Sequence, residues 1–235
     1  MKAVILAGGL GTRMREETKD RPKPMVCIGE KPILWYIMKR YAAYGISDFI
    51  ICTGYKGDVV TKYFEKKENR PSSWNIVTVD TGLDTMTGGR LKRVGHHLDE
   101  TFCFTYGDTL NDLNISELIS FHRKNKKLAT VTACHPPAKF GVLKLEDSLV
   151  IDFKEKPTGD GNWVNGGYFV LEPQVLDYIK DDSTVWEHEP LERLVRENQL
   201  GAFRHTGFYQ PIDTISDKNH LEDLLKTGKA KWEIT

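Results

Sequence analysis

A glycine-rich stretch, Gly8-Gly9-Leu10-Gly11-Thr12-Arg13, interrupts the chain directly after the apolar run Lys2 to Ala7, and Lys23 follows between Pro22 and Pro24. Glycines let a backbone approach a ligand closely, and exposed N–H groups beside a cation make a cradle for an anion. A lysine on a stem stiffened by two prolines suits the handling of phosphate. Read alone, the glycine turn is equally a plain strand-to-helix connection. Both common phosphate-loop designs are absent. Counted from Gly9, the third glycine of GxGxxG is replaced by Met14, and GxxxxGK[ST] occurs nowhere.

Further along the chain, Thr87-Gly88-Gly89-Arg90 forms a second glycine-rich loop, Asp108 follows Gly107, and Asp213 precedes Thr214. If the strand ends share one edge, both loops, Lys23 and the two aspartates converge. Two carboxylates with cations and glycines describe a magnesium–polyphosphate site, because Mg²⁺ is a hard cation held by one or two carboxylates plus phosphate oxygens. The cations would offset charge on a phosphoryl group under attack. Taken singly, Asp108 is as readily a cap or turn residue. A second cluster, Phe153-Lys154-Glu155-Lys156-Pro157 followed by Asn165-Gly166-Gly167, repeats the lysine–proline pair and adds side chains that bond hydroxyls. It also reads as a charged strand end and an Asn-Gly hairpin turn.

The elements that must position these residues follow from periodicity. Lys2–Ala7, Asp48–Thr53, Trp74–Asp80, Thr101–Tyr106 and Ala129–Cys134 are short apolar runs of buried-strand type. Helical patterns alternate with them over Pro32–Tyr44, Gly57–Lys67, Leu91–Leu98 and Ser116–Lys124. That alternation predicts a parallel sheet with right-handed crossovers, and a carboxylate at a strand's carboxyl end would face its ligand crevice. From Phe140 the grammar changes to short strands at 142–145, 149–155 and 167–171, which predicts antiparallel hairpins. Helices are expected at Pro173–Ile179, Glu189–Asn198 and Asp213–Leu225, with a strand at Ala202–Gly207. We read an α/β fold: a Rossmann-like, mixed, mostly parallel sheet flanked by helices, in a single domain over 1–235. Within it the change of grammar separates a first half of about 1–135 from a second of about 136–235.

Composition narrows the class. The 33 basic and 33 acidic side chains cancel, so no net charge draws the chain to nucleic acid or to an anionic membrane. Cys27, Cys52, Cys103 and Cys134 form no CxxC pair and read as buried thiols of a reducing compartment. The first strand starts at once, without a leader, and no apolar run is long enough to span a bilayer. A soluble cytoplasmic protein is expected. His96-His97 and Lys124 to Lys127 read as solvated. Trp186 to Glu189 reads as part of the acceptor pocket or as the start of a helix before Pro190.

Taken together, KAVILAGGLGTRM…RPKPMV, Tyr106-Gly107-Asp108, Glu155-Lys156-Pro157 and Asn165-Gly166-Gly167 resemble the sugar-1-phosphate nucleotidyltransferases. Longer strings, including GEKPILWYIMKRYAAYGISDFIICTGYKG, MTGGRLKRV, NGGYFVL, TVWEHEPL and FYQPIDT, are similar to the glucose-1-phosphate cytidylyltransferases. The resemblance runs through essentially the whole chain and implies the nucleotide-diphospho-sugar transferase fold. It implies that Leu6, Ala7, Gly8, Gly9, Gly11, Thr12, Arg13, Lys23, Thr87, Gly88, Gly89 and Arg90 bind the nucleotide. Arg13, Lys23 and Asp108 would be catalytic, with Asp108 and Asp213 binding Mg²⁺. Tyr106, Glu155, Lys156, Asn165 and Gly166 would take the acceptor. The reaction implied joins CTP to a sugar 1-phosphate, foremost glucose 1-phosphate, for surface polysaccharide synthesis in a homo-oligomer. Thr109, Tyr209 and the short stretch between Phe64 and Trp74 depart from the family pattern. The first two leave open another phosphorylated acceptor, including a non-sugar one for capsule modification, and the third bears on the family's oligomer contacts. A non-catalytic nucleotide-binding subunit is the remaining alternative.

Overall fold

The computed structural model describes residues 1–136, 142–154 and 163–234. Glu155 and Lys156 lie outside the described residues. The strands are β1 (Ala3–Ala7), β2 (Cys27–Ile28), β3 (Lys31–Pro32), β4 (Asp48–Thr53), β5 (Asn75–Asp80), β6 (Phe102–Tyr106), β7 (Thr109–Asn111), β8 (Ala129–Cys134), β9 (Val142–Glu146), β10 (Leu149–Lys154), β11 (Val164–Leu171), β12 (Leu200–His205) and β13 (Tyr209–Pro211). The helices are α1 (Arg15–Thr18), α2 (Ile33–Ala42), α3 (Gly57–Glu65), α4 (Thr87–Arg93), α5 (Ile115–Asn125), α6 (Glu189–Arg196) and α7 (Ile215–Lys226).

Seven strands form one sheet in the order β12-β8-β11-β6-β1-β4-β5. β1 pairs in parallel with β4 and β6, and β4 with β5. β11 runs antiparallel to both of its neighbours, β6 and β8, so the sheet is mixed. All five residues of β1 are buried, because helices cover both faces of the sheet and two apolar clusters share the strand. Ala3, Ile5 and Ala7 face the cluster that includes α2, whereas Val4 and Leu6 face the one that includes α4.

Chain order makes the crevice. From β1 the sheet grows outward through β4 and β5, and β6 then returns to the other side of β1. Ligands of open α/β sheets bind at such a switch point, beyond the carboxyl ends of the diverging strands. Here those ends carry the Gly8 loop and Asp108.

Asn165-Gly166-Gly167 is not a hairpin turn. These residues lie inside β11, Asn165 opposite Ala133, at a register shift between Asn165 and Phe169. The second glycine loop likewise opens α4, which starts four residues before the expected Leu91. The segment after Leu171 is a short 3-10 helix, Pro173–Tyr178.

Candidate active site

Asp108 and Asp213 come from opposite halves of the chain, and a two-stranded ribbon joins them. Thr109 of β7 pairs with Pro211 of β13, and the Ile212 N–H donates to the Asp108 carbonyl at 2.9 Å. The next residue is Asp213. Its backbone N–H, and that of Thr214, donate to the Asp217 carboxylate at 3.0 and 2.8 Å, while the Asp217 N–H donates back to the Thr214 hydroxyl. This capping box starts α7 and leaves the Asp213 side chain aimed at the cleft. On the other side Gly107 is packed so closely that an added Cβ would sit 2.4 Å from the Leu6 carbonyl oxygen and 2.7 Å from Pro24. The chain after β6 therefore lies against β1 and against the short turn Lys23–Met25.

That turn delivers Lys23 between the two acids. Its Nζ donates to Asp108 Oδ2 at 2.9 Å and to Asp213 Oδ1 at 2.8 Å, with 12 % of the side chain exposed. Burial works to lower the Lys23 pKa, but the two carboxylates outweigh it and hold the ammonium above its usual 10.5. Arg13 Nη1 lies 2.9 Å from Asp213 Oδ2, while most of its side chain remains exposed. Gly11 adopts φ +61°, which starts the one-turn helix Thr12–Met14 that carries Arg13.

These groups line an open cleft of about 740 Å³, a size suited to a small organic ligand. Leu6, Ala7, Gly8, Gly9, Gly11, Thr12, Arg13, Lys23, Thr87, Arg90, Tyr106, Asp108 and Asp213 all border it, so most sequence-predicted positions meet in one place. Gly88 and Gly89 do not. Their N–H groups both donate to the Thr184 carbonyl, and a Cβ on Gly89 would lie 2.5 Å from the Asp182 carbonyl oxygen. They are packing glycines behind the wall rather than ligand-facing ones.

Arg90 borders the cleft but is committed to the protein. Its Nη1 donates to the Thr53 and Gly82 carbonyls and the Thr81 hydroxyl, and its Nη2 to the Gly8 and Leu83 carbonyls. It ties the first glycine loop to the ends of β4 and β5, and burial pushes its pKa down. Asn165 and Gly166 stand back from the cleft. Asn165 Nδ2 reaches it indirectly, donating to the Tyr106 hydroxyl at 3.2 Å, and Gly166 is buried near the Cys134 thiol.

One feature escapes sequence reasoning, and another is left undecided by it. Leu10, Leu83 and Met86 are 52 %, 55 % and 48 % exposed at the mouth of the cleft, an apolar rim that a flat ring would cover. Glu187 also borders the cleft and accepts a 2.6 Å hydrogen bond from Thr87. The string TVWEHEPL held the only signal for it, an acid beside a tryptophan.

The donor set can be tested for a metal. Among the described residues no group of three or more metal-ligating side chains gathers anywhere. A pair of carboxylates already closed on one cationic nitrogen fits Mg²⁺, which is completed by phosphate oxygens and water. Cys52, Cys103 and Cys134 are buried with pKa values pushed up to about 12, burial being the leading cause, and are no nucleophiles. No helix among the described residues is long and apolar enough to cross a membrane.

Comparison with known proteins gives the family. The nucleotidyl transferase family model matches residues 2–208. The chain is 52 % identical to a glucose-1-phosphate cytidylyltransferase of Salmonella typhi, covering 99 % of both chains. It is 42 % identical to a probable glucose-1-phosphate cytidylyltransferase of Bacillus subtilis, covering both chains fully. Its fold is that of HddC from Yersinia pseudotuberculosis, crystallised in complex with GMP-PN, at a TM-score of 0.73 and 23 % identity over 95 % of this chain and 99 % of that one.

Proposed function

Because the chain belongs to the nucleotidyl transferase family, we propose that it transfers the cytidylyl group of CTP to glucose 1-phosphate, giving CDP-glucose and pyrophosphate. The observation that carries the choice of substrates is the full-length identity to the cytidylyltransferase of Salmonella typhi.

The chemistry asks little of the protein beyond positioning and charge. A phosphate oxygen of the sugar 1-phosphate attacks the α-phosphorus in line, a new P–O bond forms, and the bond to the departing pyrophosphate breaks. No covalent intermediate on the protein is required. The glycine loop holds the triphosphate through its backbone, fixed in place by Arg90. Lys23 and Arg13 offset the charge that builds on the phosphoryl oxygens. Leu10, Leu83 and Met86 cover the base. Asp108 and Asp213 would hold Mg²⁺, which when bound neutralises phosphate charge. Glu155, Lys156, Asn165 and Gly166 are assigned to the acceptor side, Asn165 acting through Tyr106.

The two halves, about 1–135 and 136–235, are taken as nucleotide and acceptor sides of one domain, since strands of both share a sheet. Self-association is proposed as well. Leu143, Leu145 and Phe153 on the hairpin β9–β10 are 52 %, 59 % and 58 % exposed, an apolar surface of the kind that a second subunit covers. A cytoplasmic role in surface polysaccharide synthesis follows from the product.

The test is pyrophosphate release in a screen of four nucleoside triphosphates against a panel of phosphorylated acceptors with Mg²⁺. Turnover restricted to CTP and glucose 1-phosphate is the expected result. Turnover of CTP with another acceptor alone would favour the reading that Thr109 and Tyr209 invite, and silence across the panel would overturn both.

A further inference from the structure

The segment 9–21 carries Arg13 to the cleft, yet little in it can fix its own position. Of its residues only Met14 and Thr18 are buried, and α1 is a single turn of four residues, too short to stand as a helix unaided. Its placement must come from side-chain contacts and from other elements.

Those contacts converge on two hydroxyls. Thr18 Oγ1 lies 3.0 Å from the carbonyl oxygens of both Gly11 and Met14, so one proton is shared between the residue that precedes the turn Thr12–Met14 and the residue that ends it. The Thr18 methyl packs beside Gly11, where an added Cβ would sit 2.9 Å from Thr18 Cγ2 and 3.1 Å from Lys23 Cβ. One buried threonine thus braces the turn that bears Arg13 and stands near the stem of Lys23.

Tyr55 holds Thr18 in its turn. It lies in the connection between β4 and α3, and its backbone N–H donates to the Gly8 carbonyl at 3.2 Å. Its hydroxyl lies 3.1 Å from the carbonyl oxygens of both Thr18 and Lys19. A single residue therefore grips the loop at its start, Gly8, and again at the close of α1. Neither Tyr55 nor Thr18 borders the cleft, so what they contribute to a ligand passes through the loop. A separate tie, from Lys218 Nζ on α7 to Glu17 Oε1 at 2.6 Å, keeps α1 attached when the phenol is removed.

We infer that Tyr55 is a positioning residue for the triphosphate, an inference that rests on the reaction proposed above. Its phenolic proton, through Thr18, fixes the turn that presents Arg13 and the N–H groups of the glycine loop to the phosphates. Groups aimed at developing phosphoryl charge act only when held in place beforehand, and a small displacement is costly. The contribution concerns the phosphates that leave as pyrophosphate, and neither the base nor the acceptor.

The experiment uses Tyr55→Phe, which keeps the ring and removes only the hydroxyl, and Thr18→Val, with Thr18→Ser as the conservative variant. Steady-state pyrophosphate release gives KM for CTP and for glucose 1-phosphate, and pyrophosphate and CDP-glucose are then titrated as inhibitors. In Tyr55→Phe and Thr18→Val, KM for CTP and the inhibition constant of pyrophosphate should rise together by roughly 2- to 12-fold, the worth of one neutral hydrogen bond. KM for glucose 1-phosphate should stay as in wild type, as should the inhibition constant of CDP-glucose, which lacks the departing phosphates. Thr18→Ser should keep all four constants at wild-type values. Joining Tyr55→Phe to Arg13→Ala should cost less than the product of the single losses, because the phenol acts through the turn on which Arg13 sits. A phenol that served stability alone would lower the thermal midpoint and raise no constant selectively. Equal rises for every ligand, losses that multiply in the double variant, or unchanged constants would overturn the inference. If wild type releases no pyrophosphate from any pair in the screen, the proposed reaction fails instead. Amide hydrogen exchange in the free protein then decides the placement: exchange over 9–21 should be faster in Tyr55→Phe with the sheet unchanged, and equal exchange overturns it.

Discussion

Replacing Lys23 by methionine removes a cation that both acids share while keeping most of the length of the side chain. Nζ makes two charge-assisted hydrogen bonds, at 2.9 and 2.8 Å. At full burial each would contribute about 1.5–3 kcal/mol. Asp108 and Asp213 are 34 % and 26 % exposed, and solvent screening reduces that figure toward the ~1 kcal/mol of surface pairs. The expected loss is about 2–4 kcal/mol, or roughly 5–15 °C in thermal midpoint for a domain of this size. The effect also has a pH signature. The folded-state pKa of Lys23 lies above its usual 10.5, so this stability is fully present below pH 10.5 and disappears as pH rises through the raised value. The variant should lack that alkaline loss. In catalysis the missing charge should lower kcat about 10³-fold, between the cost of one oxyanion donor and that of a phosphoryl-clamping cation. Stopped-assay pyrophosphate release and thermal melts from neutral to alkaline pH read both effects, with Asp108→Asn as the second arm of a double-mutant cycle. A kcat within about tenfold of wild type, or melting losses that simply add in the double variant, would refute the reasoning.

Three further outcomes follow from the same structure. Arg90→Lys keeps the charge but cannot serve the five oxygens that Arg90 holds, so it should cost about 3 kcal/mol and raise KM for CTP more than it lowers kcat, measured by melts and steady-state kinetics. Gly89→Ala drives a methyl group to 2.5 Å from a backbone oxygen that cannot swing aside. It should destabilise by about 1–3 kcal/mol or more by chemical denaturation, although Gly89 does not border the cleft. Asp108→Asn combined with Asp213→Asn should abolish pyrophosphate release. It should also erase any upward shift in thermal midpoint that Mg²⁺ gives the wild type, whereas a surviving shift would place the ion elsewhere.

The alternation of apolar runs and helical stripes made the parallel half of the fold legible, because both periodicities are local. The antiparallel strand ending at Leu171 was legible, but not its extension back through Asn165. Asn165-Gly166-Gly167 has the composition of a tight turn, and the long-range approach of β8, with Cys134 against Gly166, draws it into the strand as an irregularity with Gly167 at φ +73°. The candidate site shows the same division. Residue type singled out Lys23, Asp108 and Asp213, although Asp108 alone reads as readily as a cap or turn residue, and it is the fold that gathers the three at one cleft. Type said less at Gly88 and Gly89, which stand outside the cleft, and at Arg90, which borders it. In the structure the arginine bonds carbonyls and the glycines make room for the backbone at Asp182 and Thr184. Glu187 was weighed and left undecided, for the Thr87 hydroxyl that holds it at the cleft is brought there by the fold and by no sequence spacing.

The charge arithmetic of the cluster explains why a lysine should stand between the two acids at all. Lys23, Arg13, Asp108 and Asp213 together are neutral, so neither carboxylate is left unpaired in the partly buried cleft. If the two carboxylates served a divalent cation, that pair would be neutral as well, and the ammonium and guanidinium would be freed toward phosphate. Arg13, 74 % exposed, can move at small cost, and Lys23 would need only to turn its ammonium away from the acids. Cation and nucleotide would then strengthen each other's binding, because each would relieve the charge that the other leaves unpaired, and linkage makes such an effect equal in both directions. Titrations of Mg²⁺ with and without CTP should show this coupling in wild type. They should show it diminished in Lys23→Met, where the carboxylates have less to give up and the phosphates less to gain.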